Sequence, residues 1–305
     1  MSNSSPSQLL VIGSINTDMV VKTATLPLPG QTVLGGDFIM TAGGKGANQA
    51  VAAARLGADI KLVGTVGEDQ FGNDAIARLE SEKVDCRHVE QTAGHASGVA
   101  LVSVDGAGEN HIVVAPGANN TITREQVETA MSACAADSIV LLQLEIPLDI
   151  VQHATAVATS RGLRVILDPA PATALPDELF TELFLITPNE TEANILTGIE
   201  VNDEDSAAAA AENLLHRGVK NVAITLGSKG VYLANGTMKA LVPTPEVSVM
   251  DTTAAGDCFN GALAVALSRG TSLVDATAIA CQAASICVTR MGAQDAMPKE
   301  NEVTL

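Results

Sequence analysis

Short aliphatic runs separated by longer amphipathic stretches recur along most of this chain, and that alternation restricts the available folds more than any other feature. LLVIG (9–13) precedes helical spacing over Gly46–Leu56, and IKLVGTV (60–66) precedes the same pattern over Gln70–Glu82. SIVLLQL (138–144), a helix over Ile150–Ser160, RVILD (164–168), LFLIT (183–187), a helix over Asp205–Arg217 and NVAIT (221–225) continue the rhythm. Strands fed by helical crossovers build a largely parallel sheet with helices on both faces. The prediction is therefore a single α/β domain over residues 1–305 with a central, mostly parallel sheet.

Two segments interrupt the rhythm, at about 18–40 and 98–114. Both have strand-like composition with turn signals and no helical period, and the second reads as a hairpin about DGAGE (105–109). They follow strand ends, where open α/β sheets bind ligands, so a small β-sheet lid is one reading and two surface loops the other. Periodicity alone leaves both open. If the lid forms with Val20, Val33, Val99 and Val102 on one face, a second subunit would cover that face, and a homodimer is expected.

Composition excludes several classes of function. Seventeen Lys+Arg against 35 Asp+Glu leave a net charge of −18, which repels a nucleic-acid backbone and anionic membrane surfaces. Aromatic residues are 2% of the chain with no Trp, so platforms for stacking bases are absent. Neither nucleic acid nor a membrane is an expected partner. Cys86, Cys134, Cys258, Cys281 and Cys287 are odd in number and show no zinc spacing, as small buried residues of a reducing compartment would. The start, MSNSSPSQ, carries no basic n-region, and no apolar run is long enough to span a bilayer, so a cytoplasmic location is expected.

With so negative a chain, any phosphate must be met locally by backbone N–H groups, a lysine or a metal ion. AGGKGAN (42–48) fails the P-loop pattern because Gly46 follows the lysine. It offers glycines for close backbone approach, Lys45 as a donor and Asn48 as a two-way hydrogen-bonder, a set suited to a polyhydroxyl ligand; by itself it is also an ordinary glycine-rich helix start. In PNETE (188–192), Asn189 and Glu192 share one face near a helix N-terminus, either as a capping box or as oxygen donors that hold Mg²⁺ through water. TLGSKG (225–230) ends a strand in a tight turn whose amides can receive a nucleotide phosphate.

DTTAAGDCFNG (251–261) precedes the apolar run ALAVAL. A helix N-terminus there presents unpaired N–H groups and partial positive charge to an anion. Asp257 either stabilises that dipole or acts as a general base on a hydroxyl while neighbouring amides hold the phosphoryl group under attack. The Ala-Ala-Gly approach, with a second acid six residues upstream, favours the base.

These pieces in this order, GSINTD, AGGKGANQAVAAARLGA, QLE (143–145), DPAPA (168–172), ITPNETEA, TLGSKGV, DTTAAGDCFNGAL and VTRMGAQ, resemble the ribokinase family of sugar kinases within the larger phosphofructokinase-B group. The resemblance covers nearly the whole chain and implies phosphorylation of D-ribose at its 5-hydroxyl by ATP. It implies that Asp257 is the base, that the amides of Ala254, Ala255 and Gly256 form the anion hole, and that Asn16, Asp18, Gly44, Lys45, Asn48 and Glu145 bind sugar. Asn189 and Glu192 match the Mg²⁺ and phosphate site, while Thr225, Gly227, Ser228, Gly230 and Gly256 line the nucleotide. A monovalent cation, K⁺, is implied at Asp251, Thr253, Cys287, Arg290, Gly292 and Ala296, mostly through backbone oxygen. Three departures from the family pattern stand out: Cys281 beside the adenine where a polar residue is frequent, Ala296 where a serine is frequent, and a tail, MPKENEVTL, without the usual closing helix.

Rival readings are a kinase of the same group for deoxyribose or a nucleoside, and a catalytically silent sugar sensor. The NTD triplet (16–18) favours ribose, since Asp18 can accept from two adjacent hydroxyls, and the intact Gly256–Asp257 pair argues against the sensor. A nicotinamide oxidoreductase lacks its GxGxxG signature here.

Overall fold

The computed structural model describes residues 9–106 and 110–304. The N-terminal MSNSSPSQ, three residues of the DGAGE turn and the final residue of the tail lie outside them. The larger sheet has nine strands: β1 (Leu9–Ile12), β4 (Ile60–Gly67), β5 (Asp85–Thr92), β8 (Ile139–Leu142), β9 (Arg164–Leu167), β10 (Leu185–Ile186), β11 (Asn221–Thr225), β12 (Val231–Asn235) and β13 (Lys239–Val242). Their spatial order is β13-β12-β11-β10-β9-β8-β1-β4-β5, parallel from β11 to β5, with β12 antiparallel to both its neighbours.

Every residue of β1 is buried, because the sheet is covered twice. Leu9 and Val11 face one apolar layer with Val51, Leu263 and Ala280, from α1 (Lys45–Arg55), α8 (Ala255–Ser268) and α9 (Leu273–Cys287). Leu10 and Ile12 face the other, with Met131, Val151, Leu196 and Ala210 from α3 (Arg124–Ser132), α4 (Leu148–Ser160), α6 (Glu190–Thr197) and α7 (Glu204–His216). Shorter or peripheral helices α2 (Gln70–Ser81) and α5 (Asp177–Glu182) complete the covering. Side chains that alternate across a strand thus fill two cores at once.

The predicted strands and helices are all present within a few residues. Strands β5, β12 and β13 were not foreseen, for identifiable reasons. DCRHVEQT is an edge strand with no fully buried position, so it lacks an aliphatic run, and β12–β13 is an antiparallel extension after the last crossover.

Two close approaches draw α1 and α8 together at one end of the sheet. A Cβ on Gly46 would lie 2.6 Å from the Gly13 carbonyl carbon, so α1 starts directly against the end of β1. A Cβ on Gly261 would lie 2.6 Å from Ala52 Cβ and 2.8 Å from the Gln49 carbonyl oxygen, so α8 crosses α1 almost backbone to backbone. From β1 the chain builds outward through β4 and β5, then returns to β8 on the opposite side and builds through β9, β10 and β11. The crevice at the carboxyl ends of β1 and β8 is a topological switch point, where sheets of this kind bind ligands.

The two interrupting segments form a separate four-stranded sheet of β2 (Asn16–Lys22), β3 (Phe38–Gly43), β6 (Gly98–Val104) and β7 (Asn110–Ala115), in the order β3-β2-β6-β7. Cross-strand register aligns Met40, Met19, Leu101 and Val113 in one ladder, and Met40, Leu101 and Val113 are 50%, 50% and 64% exposed. Asp18 belongs to the opposite face, with Val20 and Val102. Val99 pairs with Thr17 on the Met19 face, so the expected set of Val20, Val33, Val99 and Val102 does not share one side, and Val33 precedes β3 altogether. No helix among the described residues is long and apolar enough to cross a membrane.

Candidate active site

The end of β1 turns through Ser14 and Ile15 into Asn16, and Glu145 follows β8 directly alongside. Glu145 Oε2 accepts from Ser14 Oγ at 2.6 Å, from the Lys45 amide at 3.2 Å and from Asn16 Nδ2 at 3.4 Å. Gly44 has φ 89°, and a Cβ there would lie 2.6 Å from the Asn16 nitrogen, so only glycine makes the sharp turn that starts α1 under this carboxylate. The Asp18 carboxylate lies over Gly43, where a Cβ would fall 2.3 Å from either oxygen. Asn119 anchors the turn from behind, accepting from the Ile15 amide at 2.8 Å and donating to Asn16 Oδ1 at 2.7 Å.

One face of α1 supplies the next layer. Lys45, Asn48 and Gln49 stand at i, i+3 and i+4, so they project together. Asn48 Nδ2 donates to Asp257 Oδ2 at 2.9 Å, and its Oδ1 is buried without a protein partner, an acceptor free for a ligand hydroxyl. Gln49 Nε2 donates to Asp257 Oδ1 at 3.1 Å and to Asp168 Oδ2 at 2.8 Å. Sequence reasoning passed over Ser14, Gln49, Asn119 and Asp168. The i, i+3, i+4 polar set on an otherwise alanine-rich helix, and a carboxylate closing a parallel strand, were the available signals for Gln49 and Asp168.

Asp257 sits in the first turn of α8 and is 4% exposed. Burial raises its carboxyl above the ordinary range, against the pull of Lys45 and the hydrogen bonds from Asn48 and Gln49. Burial lowers Lys45, but Asp257, Asp168, Glu145 and Glu192 together outweigh it and hold the ammonium above its usual value. Asp18 is raised to about 6 by burial, with Glu145 and Asp257 adding repulsion.

No side chain caps α8, and Ala254 before it takes a left-handed φ of 57°, a conformation that costs an alanine roughly 1–2 kcal/mol. The Ala255 amide bonds back to the Thr252 carbonyl at 3.2 Å, so the donors open to an anion are those of Ala254, Gly256 and Asp257, which have no acceptor among the described residues. Gly256 also borders a cavity of about 900 Å³ whose lining does not include Asn48. Thr225, Gly227, Ser228, Gly230, Asn189 and Cys281 all line it. Burial pushes the Cys281 thiol up to about 12, so it is a neutral apolar wall. Thr244 and Ser285, hydrogen-bonded to each other at 2.8 Å, are further lining residues that carried no motif.

Asn189 and Glu192 form the reciprocal capping box of α6, with amide-to-side-chain bonds of 2.8 Å in both directions. Burial also raises the Glu192 carboxyl. Among the described residues no three His, Cys, Asp or Glu side chains gather to hold a metal. Such a donor set fits Mg²⁺ only where phosphate oxygens and water supply most of the shell. Asp251 accepts from the Thr253 amide at 2.9 Å, Thr253 Oγ1 at 2.6 Å and the Gly292 amide at 2.9 Å. Burial works to raise it, yet these three bonds hold its carboxyl below the usual range. One carboxylate thus ties together the 251–253 and 292 loops. The Arg290 side chain is paired with Glu302, and Cys287 and Ala296 are fully buried, so these three have only backbone oxygens to offer.

Residues 6–300 match the model of the pfkB family of carbohydrate kinases. A protein named Ribokinase from Haemophilus influenzae is 41% identical over 294 residues, 96% of each chain. A protein named Deoxyribokinase from Salmonella typhi is 35% identical over 291 residues, 95% of each. The solved structure of Arabidopsis thaliana ribokinase complexed with ribose and ATP is 34% identical, covers 98% of this chain and 97% of its own, and superposes with a TM-score of 0.89.

The raised Asp18 carboxyl has a consequence for stability. The folded state holds this proton up to about pH 6 whereas the unfolded chain releases it near 3.8, so stability falls as pH rises through that window. Asp18→Asn removes the cost. Its unfolding free energy is expected to match that of the wild type near pH 4 and exceed it by on the order of 1–3 kcal/mol above pH 6. Urea denaturation of the ligand-free protein from pH 4 to 8 measures the difference, and a gap that does not widen with pH would show that Asp18 is not strained.

Proposed function

The chain belongs to the pfkB family of carbohydrate kinases, and we propose that it transfers the terminal phosphoryl group of ATP to the 5-hydroxyl of D-ribose, giving D-ribose 5-phosphate and ADP. One observation carries the reading: the buried Asp257 carboxylate stands at an uncapped helix start, between a polar crevice of sugar-binding character and a large cavity that reaches Gly256. The similarity to the ribokinase of Haemophilus influenzae supports ribose as the acceptor.

Each residue has a part in that transfer. Asp18, Asn16, Lys45, Asn48 and Glu145 orient the sugar, with the orphaned Asn48 oxygen and the Asp18 carboxylate accepting from its hydroxyls. Asp257 takes the proton of the 5-hydroxyl as that oxygen attacks phosphorus. The raised pKa improves its match to this task, while Lys45 keeps the carboxylate ionised. Ala254, Gly256 and Asp257 amides, with the helix dipole, receive charge developing on the phosphoryl oxygens, and the Ala255 turn sets the geometry of that hole. Thr225, Gly227, Ser228 and Gly230 hold the nucleotide along the cavity. Asn189 and Glu192 would hold hydrated Mg²⁺, which neutralises phosphate charge when bound.

Asp257→Asn keeps the helix start and the side-chain size, retains one acceptor oxygen in place of two, and loses the base. Turnover of ribose is expected to fall by roughly 10²–10⁴-fold while ribose binding persists by calorimetry. An Asn variant with near wild-type ADP release would reduce Asp257 to a structural residue. The same ADP-release assay with 2-deoxyribose tests the sugar, since equal efficiency would remove the preference assigned to Asp18.

The second reading concerns K⁺ at Asp251, Thr253, Cys287, Arg290, Gly292 and Ala296. A bound K⁺ offsets the Asp251 charge, and Asp251 already links the loop before α8 to Gly292, so occupancy acts on the aim of the anion hole rather than on either substrate. At constant ionic strength and saturating Mg-ATP, Na⁺ or tetramethylammonium in place of K⁺ is expected to lower kcat more than it changes the KM for ribose. Equal rates in all three salts would delete this site from the mechanism.

The small sheet acts as the lid of the sugar crevice, with Asp18 on its inner face. A second copy of the chain covers the outer ladder of Met40, Leu101 and Val113, whose exposure is unusual for apolar side chains aligned on a sheet. Light scattering of active enzyme at micromolar concentration is expected to give the mass of a dimer, and a single-chain mass would reject this arrangement.

A further inference from the structure

Asp168, at the carboxyl end of β9, has no part in the mechanism above, yet it is 5% exposed and lies one side chain away from Asp257. The Gln49 carboxamide between them is fully buried, and each of its polar atoms is committed. Its single nitrogen donates to Asp168 Oδ2 at 2.8 Å and to Asp257 Oδ1 at 3.1 Å, and its oxygen accepts from Gln143 Nε2. A planar amide with two hydrogens aimed at two carboxylates has no rotational freedom left. We propose that Asp168 is a positioning residue: by accepting one hydrogen of Gln49 it directs the other onto Asp257 Oδ1, and so fixes the plane in which the Asp257 carboxylate meets the sugar hydroxyl.

The charges around the pair are consistent with that division of labour. Lys45 from α1, Glu145 beyond β8 and Glu192 from α6 all act on Asp168, as does Asp257 from α8. Asp257 has two side-chain donors, Asn48 and Gln49, and a helix N-terminus, whereas Asp168 has Gln49 as its side-chain donor. Burial accordingly raises the Asp168 carboxyl well above its usual range, with Lys45 opposing. Asp168 contributes through its geometry, holding the Gln49 amide in the plane that reaches Asp257. Gly261 makes the arrangement possible, since any side chain there would push α8 off the Gln49 backbone.

The inference rests on Asp257 being the base, and kinetics of a small set of variants separates the two. Asp168→Ala is expected to lower kcat by about 10–100-fold with the KM for ribose changed by less than about threefold, the signature of misorientation rather than lost binding. Asp168→Asn, whose amide oxygen can still accept from Gln49, restores kcat to within about threefold of the wild type. Gln49→Met causes a loss similar to that of Asp168→Ala, and the double variant falls no further than the worse single, because both break one relay. Gln49→Met and Asp168→Asn also serve if Asp168→Ala does not fold. A kcat for Asp168→Ala within about twofold of the wild type, or multiplying losses in the double variant, overturns the positioning role. If Asp257→Asn is inactive in either of those cases, the base survives without this support; if Asp257→Asn is active, the base reading itself is wrong.

Discussion

A sheet covered on both faces leaves its polar groups one place to emerge, the carboxyl ends of its parallel strands, and the site follows from that constraint. Asn16 leaves β1 there, Glu145 follows β8, Asp168 follows β9, and Asn189 bridges to Thr225 at the end of β11. Because the chain reverses its direction of growth between β1 and β8, the crevice opens at that seam and not elsewhere along the edge. The start of α1 is drawn into it by the contact of Gly46 with Gly13, and α8 is drawn onto α1 through Gly261. Residues from positions 16 to 257 thereby share one small volume.

Concentrating Asp18, Glu145, Asp168, Glu192 and Asp257 in that volume is costly, and the surroundings show how the cost is met. Lys45 supplies the one side-chain cation that acts on four of the five, and its pKa rises for that reason. Amides, carboxamides and one hydroxyl add to it: the Lys45 N–H and Ser14 hydroxyl on Glu145, Asn48 and Gln49 on Asp257, and the Asn189 N–H on Glu192. Among the described residues Asp18 has no such donor, and burial raises it to about 6, where ligand hydroxyls can satisfy it. A ligand rich in hydroxyls is the complement of this set, since it brings donors to acceptors that the protein leaves short.

The amino-acid sequence by itself determined the α/β class, the parallel sheet and the presence of two strand-rich insertions, because hydrophobic period reports directly on how many faces of an element are buried. It also determined the family, through an ordered set of short motifs. The turn TLGSKG, which lines the large cavity, and the helix start at Gly256 were also legible, since glycines mark places where a backbone must come close. What the tertiary structure alone decided is which distant residues meet. Gln49 reads in sequence as one more polar residue on an alanine-rich helix, and Asp168 as the end of a strand, yet they are 119 positions apart and hydrogen-bonded. Val20 and Val102 lie 82 positions apart and become neighbours on one face only because β6 pairs with β2 in that register. Periodicity encodes the orientation of a residue within its own element, whereas partnership depends on register and on helix–helix separation, and those are set only when the two cores close.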